Sequence, residues 1–215
     1  MQPRPHDLLF ARSPSGFAPC GDAPGWLEPD WMARAPLVVR RAPDVEGRIP
    51  VGLRGRRRKE RCAGFLERAG VALRVQPETL AAALLAGPGL AHASGADAHL
   101  PCVAALLDLA PRLAALELDW GPVGGVGFWL ASGLPVLRPD SDLDLLVRAP
   151  RPPSQDAIDA LSALQAAYGC RIDVQLDNGR GGFALAEYAR GGRVLLKTDD
   201  GPLLVDDPWH ALEPA

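Results

Sequence analysis

The run Ser141-Asp142-Leu143-Asp144-Leu145-Leu146-Val147-Arg148 sets two carboxylates two residues apart in an apolar stretch. On a β-strand alternate side chains share a face, so Asp142 and Asp144 point the same way, about 7 Å apart, while Leu143 and Leu145 point the other. A third acid, Asp173, stands in a second apolar run, Arg171-Ile172-Asp173-Val174-Gln175-Leu176. Carboxylates on buried strands need counter-charge, and a divalent cation with oxygen ligands supplies it. Two Mg2+ ions about 4 Å apart, held by Asp142, Asp144 and Asp173, would serve an attacking hydroxyl on one side and a leaving pyrophosphate on the other. Phosphoryl and nucleotidyl transfer need chiefly such positioning and charge neutralisation. An isolated Asp-x-Asp more often decorates a solvated strand edge; the apolar flanks and the third acid favour the metal reading.

Upstream lies Gly121-Pro122-Val123-Gly124-Gly125-Val126-Gly127. It reads either as a tight loop or as a phosphate cradle, in which the backbone N–H groups of Gly124 and Gly125 meet a triphosphate where side chains would intrude. The basic run from Arg54 to Arg61 is most often a solvated face, yet a guanidinium fork suits phosphate. Arg54 and Arg58 are therefore candidates for gripping a polyphosphate, with Arg148, a strand step past the acids, as a third. The run lacks interleaved aromatics and the net charge is -3, which argues against nucleic acid. His6, His92, His99 and His210 stand alone, without a Ser or Cys at triad spacing. Cysteines at 20, 62, 102 and 170 form no Cys-x-x-Cys, so free thiols in a reducing cytoplasm are expected rather than zinc or disulfides.

Charge is uneven along the 215 residues: positions 1–76 hold 14 Arg and Lys against 8 Asp and Glu, whereas 140–215 hold 7 against 13. A basic part facing an acidic part suits a site where one holds an anion and the other the metal that bridges to it. No apolar run is long enough to span a bilayer, so a cytoplasmic protein without membrane association is expected. The first 35 residues, rich in Pro, Gly and Trp, are expected to wrap the surface with Trp26 and Trp31 as anchors. Strands are expected at Leu37–Arg41 and Val71–Val75, with a short helix following Arg56–Arg61 and ending near Gly70. Pro77-Glu78 opens a helix through Leu85. Apolar residues at threes and fours mark an amphipathic helix from Asp97 to Leu118, interrupted or kinked at Pro111. Ser154 caps a helix reaching Tyr168, a helical piece covers Leu185–Arg190, and Asp199-Asp200-Gly201-Pro202 closes a hairpin. The expected fold is α+β: a small basic β-rich domain over residues 1–76, then a mixed sheet with packing helices over 77–215.

A glycine turn followed by Asp-x-Asp and a later Asp resembles the nucleotidyltransferase (polymerase-β-like) active site. More specifically, the chain resembles the malonate decarboxylase holo-acyl-carrier-protein synthase, or phosphoribosyl-dephospho-CoA transferase, family. The blocks that carry this are Ile49-Pro50-Val51-Gly52-Leu53-Arg54-Gly55, Trp120 to Phe128, Ser141 to Leu146, Asp173-Val174-Gln175-Leu176, and Gly201 to Val205 with Asp207-Pro208-Trp209. The resemblance implies transfer of a phosphoribosyl-dephospho-CoA group from 2′-(5″-triphosphoribosyl)-3′-dephospho-CoA to a serine of the malonate decarboxylase acyl-carrier subunit, with pyrophosphate leaving. It implies Asp142 and Asp144 as the metal pair and Asp173 as the third acid, the candidate base. Two departures stand out: a Ser is common in the family where this chain has Gly125, and an acid where it has Trp129.

Two other readings remain open on the residues. One is a metal-dependent nucleotidyltransferase using an ordinary nucleoside triphosphate; the other is a binding module that keeps the fold without catalysis.

Overall fold

Short runs with period-two burial pair into a sheet at each end of the chain. A computed structural model describes residues 2–43, 45–87, 97–165 and 168–210; His92 lies outside them. The first sheet contains β1 (Leu8–Ala11), β2 (Phe17–Pro19), β3 (Leu37–Val39), β4 (Arg48–Arg54), β5 (Arg61–Glu67) and β6 (Val71–Val75). Its order is β2-β5-β4-β3-β1-β6, and every pairing is antiparallel. A short helix α1 (Pro29–Arg34) buries Trp31 against it.

Pro77 opens α2 (Pro77–Leu85), where its missing N–H costs nothing. Then come α3 (Pro101–Ala114), β7 (Asp119–Pro122), α4 (Gly124–Ser132), β8 (Leu143–Arg148), α5 (Gln155–Gln165), β9 (Ile172–Asp177), β10 (Gly181–Ala184), α6 (Leu185–Ala189), β11 (Val194–Thr198) and β12 (Gly201–Val205). The second sheet runs β12-β11-β10-β9-β8-β7. Only β8 and β9 among these neighbours are parallel, because α5 carries the chain back across between them; the other pairings are antiparallel. The fold is α+β, with two antiparallel or mixed sheets and helices packed on the second.

Several sequence expectations need correction. Residues Arg61–Glu67 form a strand, not a helix: they pair with β4 from Arg54↔Arg61 to Arg48↔Glu67, with Cys62, Gly64 and Leu66 turned inward. Only Arg68–Gly70 makes a single 3-10 turn. Helix α3 passes through Pro111 without a break. The glycine turn is the end of β7 and the first turn of α4, a helix that its three glycines and lack of a polar cap do not announce. Ser154 does cap α5, its Oγ accepting from Ala157 N–H at 3.2 Å.

The two sheets share one continuous core, which runs from Leu9, Val51 and Leu66 to Leu143, Leu145 and Leu176. Trp31 stacks on Phe128 of α4 with ring centroids 6.5 Å apart, and its Nε1 donates to the Arg54 carbonyl at 2.8 Å. Behind the sheets, Arg148 is enclosed by Asp7, Glu78 and Asp177, Arg74 pairs with Asp7 at 2.7 Å, and Arg41 pairs with Asp177 at 2.8 Å. Burial of these charges in a mutual network ties the N-terminal strand to the ends of β8 and β9.

Candidate active site

β8 and β9 are buried by one face and carry acids on the other. Leu143, Leu145 and Val147 are buried on the core side, which turns Asp144 to the opposite side. The parallel register sets Asp144 beside Asp173. Asp142 immediately precedes β8, where Leu143 N–H donates to the Arg171 carbonyl at 2.9 Å and opens the pairing with β9.

The glycine turn closes over this pair. Val123 N–H donates to the Asp144 carbonyl at 2.9 Å, and Gly124 follows with φ +59°, a left-handed conformation that L side chains rarely adopt. A Cβ at Gly124 would stand 1.9 Å from Asp144 Oδ2, so the position admits no side chain while that carboxylate is in place. Val123 gives α4 no side-chain cap, and the first-turn N–H groups therefore lack intrahelical acceptors and favour an anion.

Arg54, at the end of β4, lies over Phe128 of α4 at 5.3 Å and beside Gly125, where an added Cβ would meet Arg54 Nη1 at 3.3 Å. Its register partner is Arg61. Burial first, and then the neighbouring Arg61, push the Arg54 guanidinium down to about 10, which leaves it cationic at neutral pH. Its Nε is buried without a hydrogen-bond partner among the described residues. Across the gap, burial and then the charges of Asp173 and Asp142 push the Asp144 carboxyl above its usual range.

These groups face one another across a cleft of about 680 Å³ between the two sheets, lined by Arg54, Arg61, Gly124, Asp144, Arg171 and Asp173 among others. Asp142 stands at its rim, its Oδ2 accepting from Arg58 Nη2 at 3.0 Å, and Asp173 accepts from Arg171 at 3.1 Å. Among the described residues no three Asp, Glu, His or Cys side chains meet as a formed metal-ligand set. The donor chemistry nevertheless fits a divalent cation: Asp142 and Asp173 lie near enough to Asp144 to disfavour its ionisation, and these two flanking acids are paired with exposed arginines able to swing away.

The residues singled out from the sequence divide accordingly. Asp142, Asp144, Asp173, Gly124, Gly125, Arg54 and Arg58 gather at this end of the cleft. Arg148 does not. It shares the Asp144 face of β8 but lies at the far end of the strand, its side chain 7% exposed, and its Nη2 donates to the Pro5 carbonyl at 2.9 Å; the buried acids around it match its charge in full. Sequence reasoning reaches Arg61 only as the end of the basic run, and misses Arg171, two residues before Asp173, as a site residue. It also misses Gln175, which strand parity from Asp173 would have found.

Comparison with known proteins places the chain in a family. Residues 4–77 match the phosphoribosyl-dephospho-CoA transferase MdcG N-terminal domain, and residues 85–208 match the MdcG C-terminal domain. A curated protein named phosphoribosyl-dephospho-CoA transferase in Pseudomonas aeruginosa is 44% identical over 98% of this chain and 96% of the relative. Another of that name, in Klebsiella pneumoniae strain 342, is 39% identical over 98% of each. No solved structure matches. The chain belongs to the phosphoribosyl-dephospho-CoA transferase family.

Proposed function

We propose that this transferase moves the phosphoribosyl-dephospho-CoA group of 2′-(5″-triphosphoribosyl)-3′-dephospho-CoA onto a serine of the malonate decarboxylase acyl-carrier subunit and releases pyrophosphate, with Mg2+ as cofactor, in the cytoplasm. The observation that carries this reading is the meeting in one cleft of an Arg54 Nε buried without a partner among the described residues, an uncapped helix N-terminus at Gly124, and the carboxylates of Asp144 and Asp173 with Asp142 beside them.

In this reading Arg54 and Arg61 hold the triphosphate, and the N–H groups of Gly124 and Gly125 bind its oxygens, with Gly124 kept free of a side chain by Asp144. Asp173, the outer acid of the β8–β9 pair, takes the proton of the attacking serine hydroxyl. The serine Oγ–Pα bond forms as the Pα–O bond to the pyrophosphate breaks, and the electron pair leaves with the pyrophosphate. Asp142, Asp144 and Asp173 would hold Mg2+, and such an ion would supply Lewis acidity toward the hydroxyl and the phosphate oxygens. Arg58 exchanges Asp142 for the polyphosphate when the donor enters. The basic β4–β5 hairpin stands at the cleft mouth, where an acidic carrier protein would approach.

The test is to incubate the protein with Mg2+, the apo acyl-carrier subunit and either the triphosphoribosyl donor or ATP, and to weigh the carrier. A mass gain equal to the phosphoribosyl-dephospho-CoA group is expected only with the first donor; transfer from ATP alone would overturn the reading.

A further inference from the structure

The cleft extends well past the acids. On the first sheet, Val38 and Arg40, Gly52 and Arg54, and Arg61 and Ala63 line it. Arg54 and Arg61 are register partners at one end. Farther along, the backbone of Arg40 pairs at Pro50, its N–H donating to the Pro50 carbonyl, four residues along β4 from Arg54, and its side chain runs back as far as Gly52. The absence of a side chain at Gly52 lets Arg40 lie across the sheet, with its Cδ 3.2 Å from where a Cβ would be.

The second sheet repeats this polarity. From Asp173 the same face carries Gln175, and β10 and β11 add Ala184 opposite Gln175 and Lys197 opposite Gly182. Gln175 Nε2 and His6 Nε2 meet at 3.1 Å across the sheets. Gly182 must lack a side chain because a Cβ there would lie 2.2 Å from Gln175 Nε2. Arg40 and Lys197 are both exposed and both line the cleft. One cleft therefore has two cationic places: Arg54 and Arg61 beside the acids, and, farther along, Lys197, level with Asp177 four residues past Asp173, with Arg40 reaching in over Gly52 from the facing sheet. Gln175 and His6, together with small and apolar residues such as Ala63, Leu8 and Phe183, line the rest.

A nucleoside triphosphate has one polyphosphate and does not account for the second cationic place. The donor of the proposed reaction has two: the triphosphate on its ribosyl arm and the diphosphate of its dephospho-CoA half, separated by a nucleoside. Resting on the transferase reading above, we infer that Arg40 and Lys197 bind the diphosphate of the dephospho-CoA half. Gln175 and His6 then face the nucleoside between the two phosphate sites. This second place thereby selects a two-polyphosphate donor over ATP.

Titration calorimetry on the full chain with two fragments tests this. Dephospho-CoA reports the second place, and inorganic triphosphate with Mg2+ reports the place beside the acids. In the R40A/K197A double variant, dephospho-CoA affinity should fall about tenfold or more, the loss expected of charge-assisted phosphate contacts, while triphosphate affinity stays at the wild-type value and confirms an intact fold. R54A should show the reverse pattern. Equal dephospho-CoA affinity in R40A/K197A and wild type overturns the inference. If that variant also modifies the carrier normally from the triphosphoribosyl donor, only the inference fails. A wild-type protein that neither binds dephospho-CoA nor modifies the carrier removes the transferase reading along with it.

Discussion

Gly124 and Asp144 occupy space that only one side chain can fill: a Cβ on the glycine would lie 1.9 Å from the Asp144 carboxylate. The glycine turn and the central acid are thus fitted to each other, and the turn cannot change without moving the acid.

Gly124→Ala therefore carries two penalties. Its left-handed φ costs about 1–2 kcal/mol for a side chain, and Asp144 must shift by an ångström or more. Carrier modification is expected to fall on the order of a hundredfold. Gly125→Ala meets Arg54 Nη1 only at 3.3 Å, a contact the flexible guanidinium can relieve, and should retain most activity. Rates and melting temperatures of the two variants measure the contrast.

Arg54 illustrates a site held against the interest of stability. It is crowded by Arg61, Arg138 and Arg58, and its Nε has no hydrogen-bond partner among the described residues. Arg54→Met keeps the packing on Phe128 and removes the buried charge, so chemical denaturation should show unchanged or greater stability, by about 1 kcal/mol. Donor affinity in the same variant should drop tenfold or more.

Arg148 should behave oppositely. Arg148→Met leaves Asp7 and Asp177 buried without their shared cation, and breaking such a network typically costs about 3–5 kcal/mol. Denaturant unfolding should show a loss of that order. At temperatures where the variant stays folded, its affinity for inorganic triphosphate should match that of the wild type.

Acid should loosen the protein through His6. Burial, then the charges of Arg41 and Arg148, lower its pKa from 6.5 to about 4. Between those values the unfolded chain binds a proton that the folded chain does not. The His6 contribution is therefore full above pH 6.5 and is lost as pH falls toward 4, by up to about 3 kcal/mol. In His6→Gln the part of the stability slope between pH 6.5 and 4 that belongs to this group should vanish.

The acids are legible because their information is local. Strand period places Asp142, Asp144 and Asp173 on one side once two apolar runs are recognised as neighbours, and the glycine turn announces itself by composition. What local patterns do not convey is set by partners far away in sequence. Arg61–Glu67 resembles the continuation of a charged helix, but pairing with β4 determines its state. Arg148 has the right parity for the site, and only the fold brings Asp7, Glu78 and Asp177 around it. The Arg58–Asp142 contact spans 84 positions, and no motif marks it.

Replacing Asp144 by Asn gives the most direct check on the acids as machinery. Because burial and its acidic neighbours disfavour ionised Asp144, a neutral isostere should leave the fold as stable or more so. At the same time, carrier modification from the triphosphoribosyl donor should disappear. Mass spectrometry of the carrier after incubation with a stably folded D144N protein reads both halves of the claim. Unmodified carrier is the expected result; carrier modified at the wild-type rate would contradict it.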